Sequence, residues 1–281
     1  MAKIKNIRLY KIFFLFIIVF VLQVTNCNAE ILKAANFDTL HKIVISEASD
    51  ESLVLFDVDD VLIAPTDEFN FRSEIRKTLK NELAQDKEKK EIQEIFSDFF
   101  LKRKVQLVNK NMPSLLAYLK NKRIPASALS AWWTNQFGKI NEMEHQRLKE
   151  LNHVGISFVD ISPFNKDIDF TSHKNEKGGT PMIISGVILT ALADKGEILG
   201  LALNQTKSKF KKIIFIDDQM KYLHEVEKFC NEKGIEFLGI HYTEASKLPI
   251  PVLDPEKEKL RFDILKRDQI WLLDDELRKL L

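Results

Sequence analysis

The chain has 281 residues, 45% of them hydrophobic and 30% charged, with a formal net charge of +1. That is the composition of a globular protein, long enough for one large domain or a domain with a sizeable insertion. Near-neutral charge argues against a dedicated nucleic-acid binder.

The amino terminus reads apart from the rest. Lys3, Lys5, Arg8 and Lys11 precede an unbroken apolar run over residues 12–22, and the small residues Cys27 and Ala29 flank Asn28 just before Glu30. A basic region, a short apolar core and a small-x-small exit describe a secretory signal peptide, here residues 1–29. The run is shorter than the roughly 20 residues a spanning helix needs; an uncleaved anchor is the rival reading. Residues 30–281 are then expected to be exported, periplasmic or secreted, and finding Met1 intact on the mature chain would refute cleavage. Loss of Cys27 would leave Cys230 without a partner for an internal disulfide, and a buried, inert thiol is expected there.

Residues 30–50 mix apolar and polar positions and predict a helix leading into the first strand. Leu53 to Phe56 form a continuous apolar run, as in a buried parallel strand, and the run ends on Asp57 and Asp59. From 66 to 111 the pattern is helical and charged. Ile75, Leu79 and Leu83 make one stripe, Ile92, Ile95, Phe96 and Phe99 a second, and the charged stretch 85–91 reads as a solvated turn or helix face. This segment is expected to be a helical, cap-like insert. Residues 112–121 predict a helix with Pro113 in its first turn, and 124–130 a second central strand ending on Ser130.

Further along, 138–151 is amphipathic and helical, 156–161 reads as a strand, and 169–180 is a polar loop. Residues 181–189 suit a strand or core segment. Lys195-Gly196 precedes an apolar helix start at 198–203. Residues 213–216 form the clearest later strand and end on Asp217-Asp218. A helix over 222–233 closes on Gly234, a short strand follows at 237–240, and the tail 249–281 is helical from Glu256. Strands alternating with helices from Leu53 to Ile240 predict an α/β fold, a doubly wound and mainly parallel sheet. Such sheets bind ligands outside the carboxyl ends of their strands.

Three strands thus end in polar residues: LVLFDVDD, IPASALS and IIFIDD. Laid parallel, they bring four or five carboxylates and a hydroxyl to one rim. Carboxylates at i and i+2 on extended backbone project to the same side and repel, so a cation or shared proton must reconcile them. A hard cation with oxygen ligands suits that excess, and Mg²⁺ tolerates bound water and substrate phosphate.

These residues resemble the four motifs of the haloacid-dehalogenase-like superfamily, in its phosphatase branch and among its exported bacterial proteins. The resemblance covers roughly residues 50 to 245. It implies Asp57 as nucleophile and Asp59 as general acid/base. It implies Ser130 and Lys195 as binders of phosphate oxygens, and a Mg²⁺ site made by Asp57, the Asp59 backbone carbonyl, Asp217 and Asp218. Asp60 stands where glycine is common. Ser127 and Thr134 remain alternatives to Ser130, and Lys207, Lys209 and Lys211 to Lys195.

The activity implied is Mg²⁺-dependent hydrolysis of a phosphate monoester through an aspartyl-phosphate. The partner would be a small phosphorylated substrate or a phosphoprotein, not nucleic acid, with a membrane involved only through the export signal. The alternative is a non-catalytic binding or effector protein of the same fold that keeps the metal site; a phosphotransferase or mutase is a third reading. Core or lid packing is the commoner fate of a pair such as Trp132-Trp133, and Asp274-Asp275 reads as a solvated helix face. The six histidines show no metal spacing.

Overall fold

The structure is a computed structural model that describes residues 29–66, 73–249 and 254–280; the expected signal peptide lies outside the described residues apart from Ala29. Ten strands are β1 (Ala29–Ala34), β2 (Ser52–Phe56), β3 (Ile63–Pro65), β4 (Val105–Leu107), β5 (Ala126–Ser130), β6 (Ile168–Asp169), β7 (Met182–Ile184), β8 (Val187–Leu189), β9 (Lys212–Asp217) and β10 (Glu236–Tyr242). The α-helices are α1 (Phe37–Glu47), α2 (Ser73–Asp86), α3 (Lys89–Lys102), α4 (Met112–Asn121), α5 (Met143–His153), α6 (Lys195–Thr206), α7 (Met220–Lys233), α8 (Pro255–Asp268) and α9 (Asp274–Arg278). None is long and apolar enough to cross a membrane.

Eight strands form one sheet in the order β1-β10-β9-β2-β5-β8-β7-β6, parallel from β1 to β8 and antiparallel in its last two pairings. The α/β, mainly parallel, doubly wound architecture is therefore present. Because side chains alternate along a strand, Leu53 and Leu55 enter one core while Val54 and Phe56 enter the other. Helices α6 and α7 cover the first face through Ile198, Leu199, Leu223 and Val226, and α1 and α4 the second through Leu40, Val44, Leu115 and Leu119. A sheet buried on both faces explains why β2 and β9 read as continuous apolar runs.

Several sequence expectations needed correction. Residues 30–50 are not simply helical: β1 pairs in parallel with β10 at the sheet edge before α1 begins. Residues 156–161 are not a strand. Phe158 O instead accepts the N–H groups of Ile161 and Ser162 in a turn, Ile156 and Phe158 are buried, and the neighbouring position beside β5 belongs to β8. The predicted helix at 138–151 begins only at Met143. Gly138, at φ 55°, lies so close to α3 that a Cβ would fall 2.1 Å from Ser97 Oγ, and that same oxygen takes the Lys139 N–H. Tertiary packing, rather than local propensity, starts the helix late.

The insert between β2 and β5 contains α2 and α3, separated at Glu88, whose own N–H bonds to the Glu91 carboxylate at the start of α3. Its base is a two-stranded antiparallel sheet, β3 with β4, which the sequence pattern did not reveal. The carboxyl-terminal tail packs on this insert. Trp271 is fully buried with its ring 5.0 Å from that of Phe99, its backbone N–H donates to Asp98, and its carbonyl accepts from Lys102. Asp274 is no merely solvated residue, since it pairs with the buried Arg261 guanidinium at 2.5 Å; Asp275 is exposed as expected.

Candidate functional site

β9, β2 and β5 are adjacent and parallel, with Phe56 level with Ile216 on one side and Ala128 on the other. The next residue along β2 is Asp57, whose N–H still bonds to Ile216 O, extending the ladder by one. This register sets Asp57 beside Asp217 and leaves Ser130 at the same rim. The chain order reverses across β2, which opens a crevice at these strand ends.

Lys195 is the first residue of α6, where the helix dipole opposes a cation. Two carboxylates outweigh that: its Nζ lies 2.7 Å from Asp57 Oδ1 and 2.7 Å from Asp217 Oδ2, with the side chain fully buried. The following Gly196 is what lets α6 come so close, because a Cβ there would fall 2.2 Å from Glu225 O on α7. Lys207, Lys209 and Lys211 are exposed and precede β9, at the opposite end of the strand from Asp217. Ser130 lines the cleft. Ser127 instead donates to Gly186 O and Thr134 to Thr180 O, so neither serves this rim.

One carboxylate oxygen from each of Asp57, Asp217 and Asp218 lies within 4.8 Å of the others, a set that could hold a metal ion. Asp218 Oδ1 is buried with no hydrogen-bond partner among the described residues. Burial pushes the Asp57 carboxyl up to about 7, with Lys195 opposing and Asp217 adding to the rise. Burial and then the charges of Asp57, Asp217 and Asp60 push Asp218 up to about 8. Asp217 is likewise raised, chiefly by burial. Three crowded carboxylates with one lysine between two of them are under-compensated, and a divalent cation fits that donor set.

Asp59 is placed differently. Its carboxylate receives Arg103 Nη2 at 2.6 Å and Arg147 Nη2 at 2.5 Å. Enclosure alone would raise this carboxyl, yet Arg147 and then Arg103 outweigh it and hold it well below the usual carboxylate range. Neither arginine was expected from the sequence. Arg103 sits in the basic run Lys102-Arg103-Lys104, which looks like any solvated stretch, and Arg147 lies within a helix whose pattern gives no hint of its burial. Asp60 takes a left-handed conformation at φ 61°, which supplies the turn that a glycine would otherwise make.

Asp57, Asp59, Ser130, Asp218, Arg103 and Trp133 are among the residues lining one cleft of about 560 Å³. Trp132 is almost wholly buried, its Nε1 donating to Met143 O, and packs against Trp133. The structure therefore brings together Asp57, Ser130, Lys195, Asp217 and Asp218, and turns the Asp59 side chain to the arginines.

Comparison with known proteins gives one family: the sequence pattern described as a protein of unknown function, DUF2608, matches residues 33–278. An uncharacterized protein of Rickettsia bellii (strain RML369-C) is 23% identical over 242 residues, spanning 81% of this chain and 82% of that protein. No solved structure matches the chain.

Proposed function

The chain belongs to the DUF2608 family, and we propose that this member is a Mg²⁺-dependent phosphate monoester hydrolase of the haloacid-dehalogenase-like kind. The observation that carries this reading is the buried set Asp57–Lys195–Asp217 at adjacent strand ends, with Asp218 completing three convergent carboxylates. A nucleophilic carboxylate beside a fixed lysine and a cation site is what aspartyl-phosphate chemistry requires.

In this reading an Asp57 oxygen bonds to phosphorus as the bond to the leaving oxygen breaks, and Asp59 supplies that oxygen with a proton. Water then attacks the aspartyl-phosphate, Asp59 takes a proton from it, and the Asp57 carboxylate and inorganic phosphate are released. Lys195 and Ser130 hold phosphate oxygens as charge develops. Mg²⁺ bound by Asp57, Asp217, Asp218 and the Asp59 carbonyl would offset the repulsion between a carboxylate and a phosphate dianion. Asp59 can serve as acid only after its carboxylate leaves Arg103 and Arg147 and takes up a proton from solvent water.

That last feature favours a second reading, a binding protein that holds metal without turnover. The full chain with a generic aryl phosphate, with and without Mg²⁺, separates the two. Turnover that needs Mg²⁺ and falls at least about 10³-fold in Asp57→Asn supports the hydrolase. Metal binding with no turnover across a broad panel of phosphate esters supports the binding protein.

A further inference from the structure

We propose that Arg103 and Arg147 form a second anion-binding subsite, so that the preferred substrate is a small phosphate ester carrying another anionic group, a carboxylate or a second phosphate. The proposal rests on the phosphoryl-transfer reading above and assigns the substrate class of that same cleft.

Two guanidiniums from separate elements, the residue capping α3 and a residue of α5, converge on opposite oxygens of one carboxylate. Guanidinium forks of this sort match carboxylate and phosphate geometry. The pair is built rather than incidental. Arg147 is fully buried, its guanidinium 3.7 Å from the centre of the Trp132 ring and its Nη1 3.0 Å from Glu150. Trp132 is itself anchored on Met143 O, and Arg103 reaches over the same ring at 5.5 Å. Glu150 also lies 3.7 Å from Arg103 Nε, so one buried acidic side chain is shared by both arginines.

Exposure identifies which partner can leave. The Asp59 side chain is 40% exposed, against 7% for Arg103 and 0% for Arg147. The arginines are the fixed side of the contact, and the Asp59 carboxylate occupies a position that an anion of similar shape can take. When Asp59 moves to the leaving oxygen, two buried guanidiniums lose the carboxylate they hold at 2.6 and 2.5 Å, and stripping a buried charge of such a partner is costly. A substrate that brings its own anion removes that cost; a neutral leaving group does not. Arg103, Asp59, Asp57 and Ser130 line the same cleft, and its volume of about 560 Å³ suits a small molecule.

Matched pairs test this on the full chain with Mg²⁺: 3-phosphoglycerate against glycerol 3-phosphate for a carboxylate, and propanediol bisphosphate against propyl phosphate for a second phosphate. In the native protein the anionic member of at least one pair is expected to have a kcat/KM about tenfold or more above its neutral counterpart, mostly through KM. Arg103→Ala should bring that ratio close to one, and Arg103→Lys should restore part of it. Equal kcat/KM within both pairs, or a preference that survives Arg103→Ala in a variant that melts normally, overturns the subsite. If no ester is turned over, hydrolysis fails as a reading and calorimetric binding of the same pairs still decides the subsite: tighter binding of the anionic member, lost in Arg103→Ala, supports it, and equal or absent binding overturns it.

Discussion

Asp60 shows how a single residue can carry a backbone requirement and a charge together. Its N–H bonds to Ile63 O and its φ of 61° turns the chain sharply after Asp59. Aspartate tolerates the left-handed region better than most residues, whereas an ordinary Cβ costs about 1 kcal/mol there. Asp60→Ala is therefore expected to be less stable than Asp60→Gly by about 1 kcal/mol, read from the urea midpoints of the two variants. Equal midpoints would mean the turn is not under that constraint. Both variants also remove a charge that helps raise the Asp218 carboxyl, so their difference isolates the backbone.

Among the elements, α6 carries the greatest burden, because it places a lysine between carboxylates of β2 and β9. It does so by packing tightly on α7, where both Gly196 and Gly200 lie close enough that a Cβ would meet Glu225 O or the Phe229 ring. Gly196→Ala is expected to push α6 outward by about an ångström, because the added Cβ would otherwise lie 2.2 Å from Glu225 O. Displacements on that scale lower turnover by about 100-fold. Mg²⁺-dependent turnover should therefore fall far more than thermal stability does; a variant with native turnover would show that the Lys195 position does not depend on this contact. The tail acts as a brace in the same sense. Trp271 and Lys266 tie it to α3 and α2, the helices of the insert, and Arg103 caps α3.

For the whole molecule, the largest lever is the under-compensated charge at the sheet rim. Asp57 and Asp218 have carboxyls raised to about 7 and about 8 from an ordinary 3.8. Between about pH 4 and pH 8 the folded chain keeps protons that the unfolded chain has released, so stability falls as pH rises through this window. Asp59 has the opposite sign: its contribution is complete above the ordinary carboxylate range and is lost only as pH falls below it. The metal-chelated protein is thus expected to melt at a lower temperature at pH 8 than at pH 5.5. Saturating Mg²⁺ should raise the melting temperature most at the higher pH, where it does not compete with protons, by an amount equivalent to about 2.7 kcal/mol at a hundredfold excess over Kd. Calorimetric scans at the two pH values check both, and a Mg²⁺ effect that is larger at pH 5.5 would contradict the assignment.

How much of this was legible beforehand depended on the range of the interactions involved. Apolar runs ending in Asp57, Ser130 and Asp217 state both their burial and their polar tips locally, so the parallel core, the rim and the cation-seeking carboxylates could be read from the chain alone. The glycine after Lys195 was also visible, though not its reason. Residues 30–34, 105–107 and 156–161 were misread, and 63–65 left unassigned, because short edge strands and turns carry little periodicity, and partners distant in sequence decide their state. Arg103 and Arg147 could not be found by pattern at all. A charge looks the same in sequence whether it is solvated or buried, and only the docking of α3 and α5 against Trp132 fixes these two arginines on Asp59. The sequence by itself determined which groups reach the rim; the tertiary structure decided which carboxylates converge in a set that could hold a cation and which one is held by guanidiniums, because that pairing depends on distances between elements that no local pattern encodes.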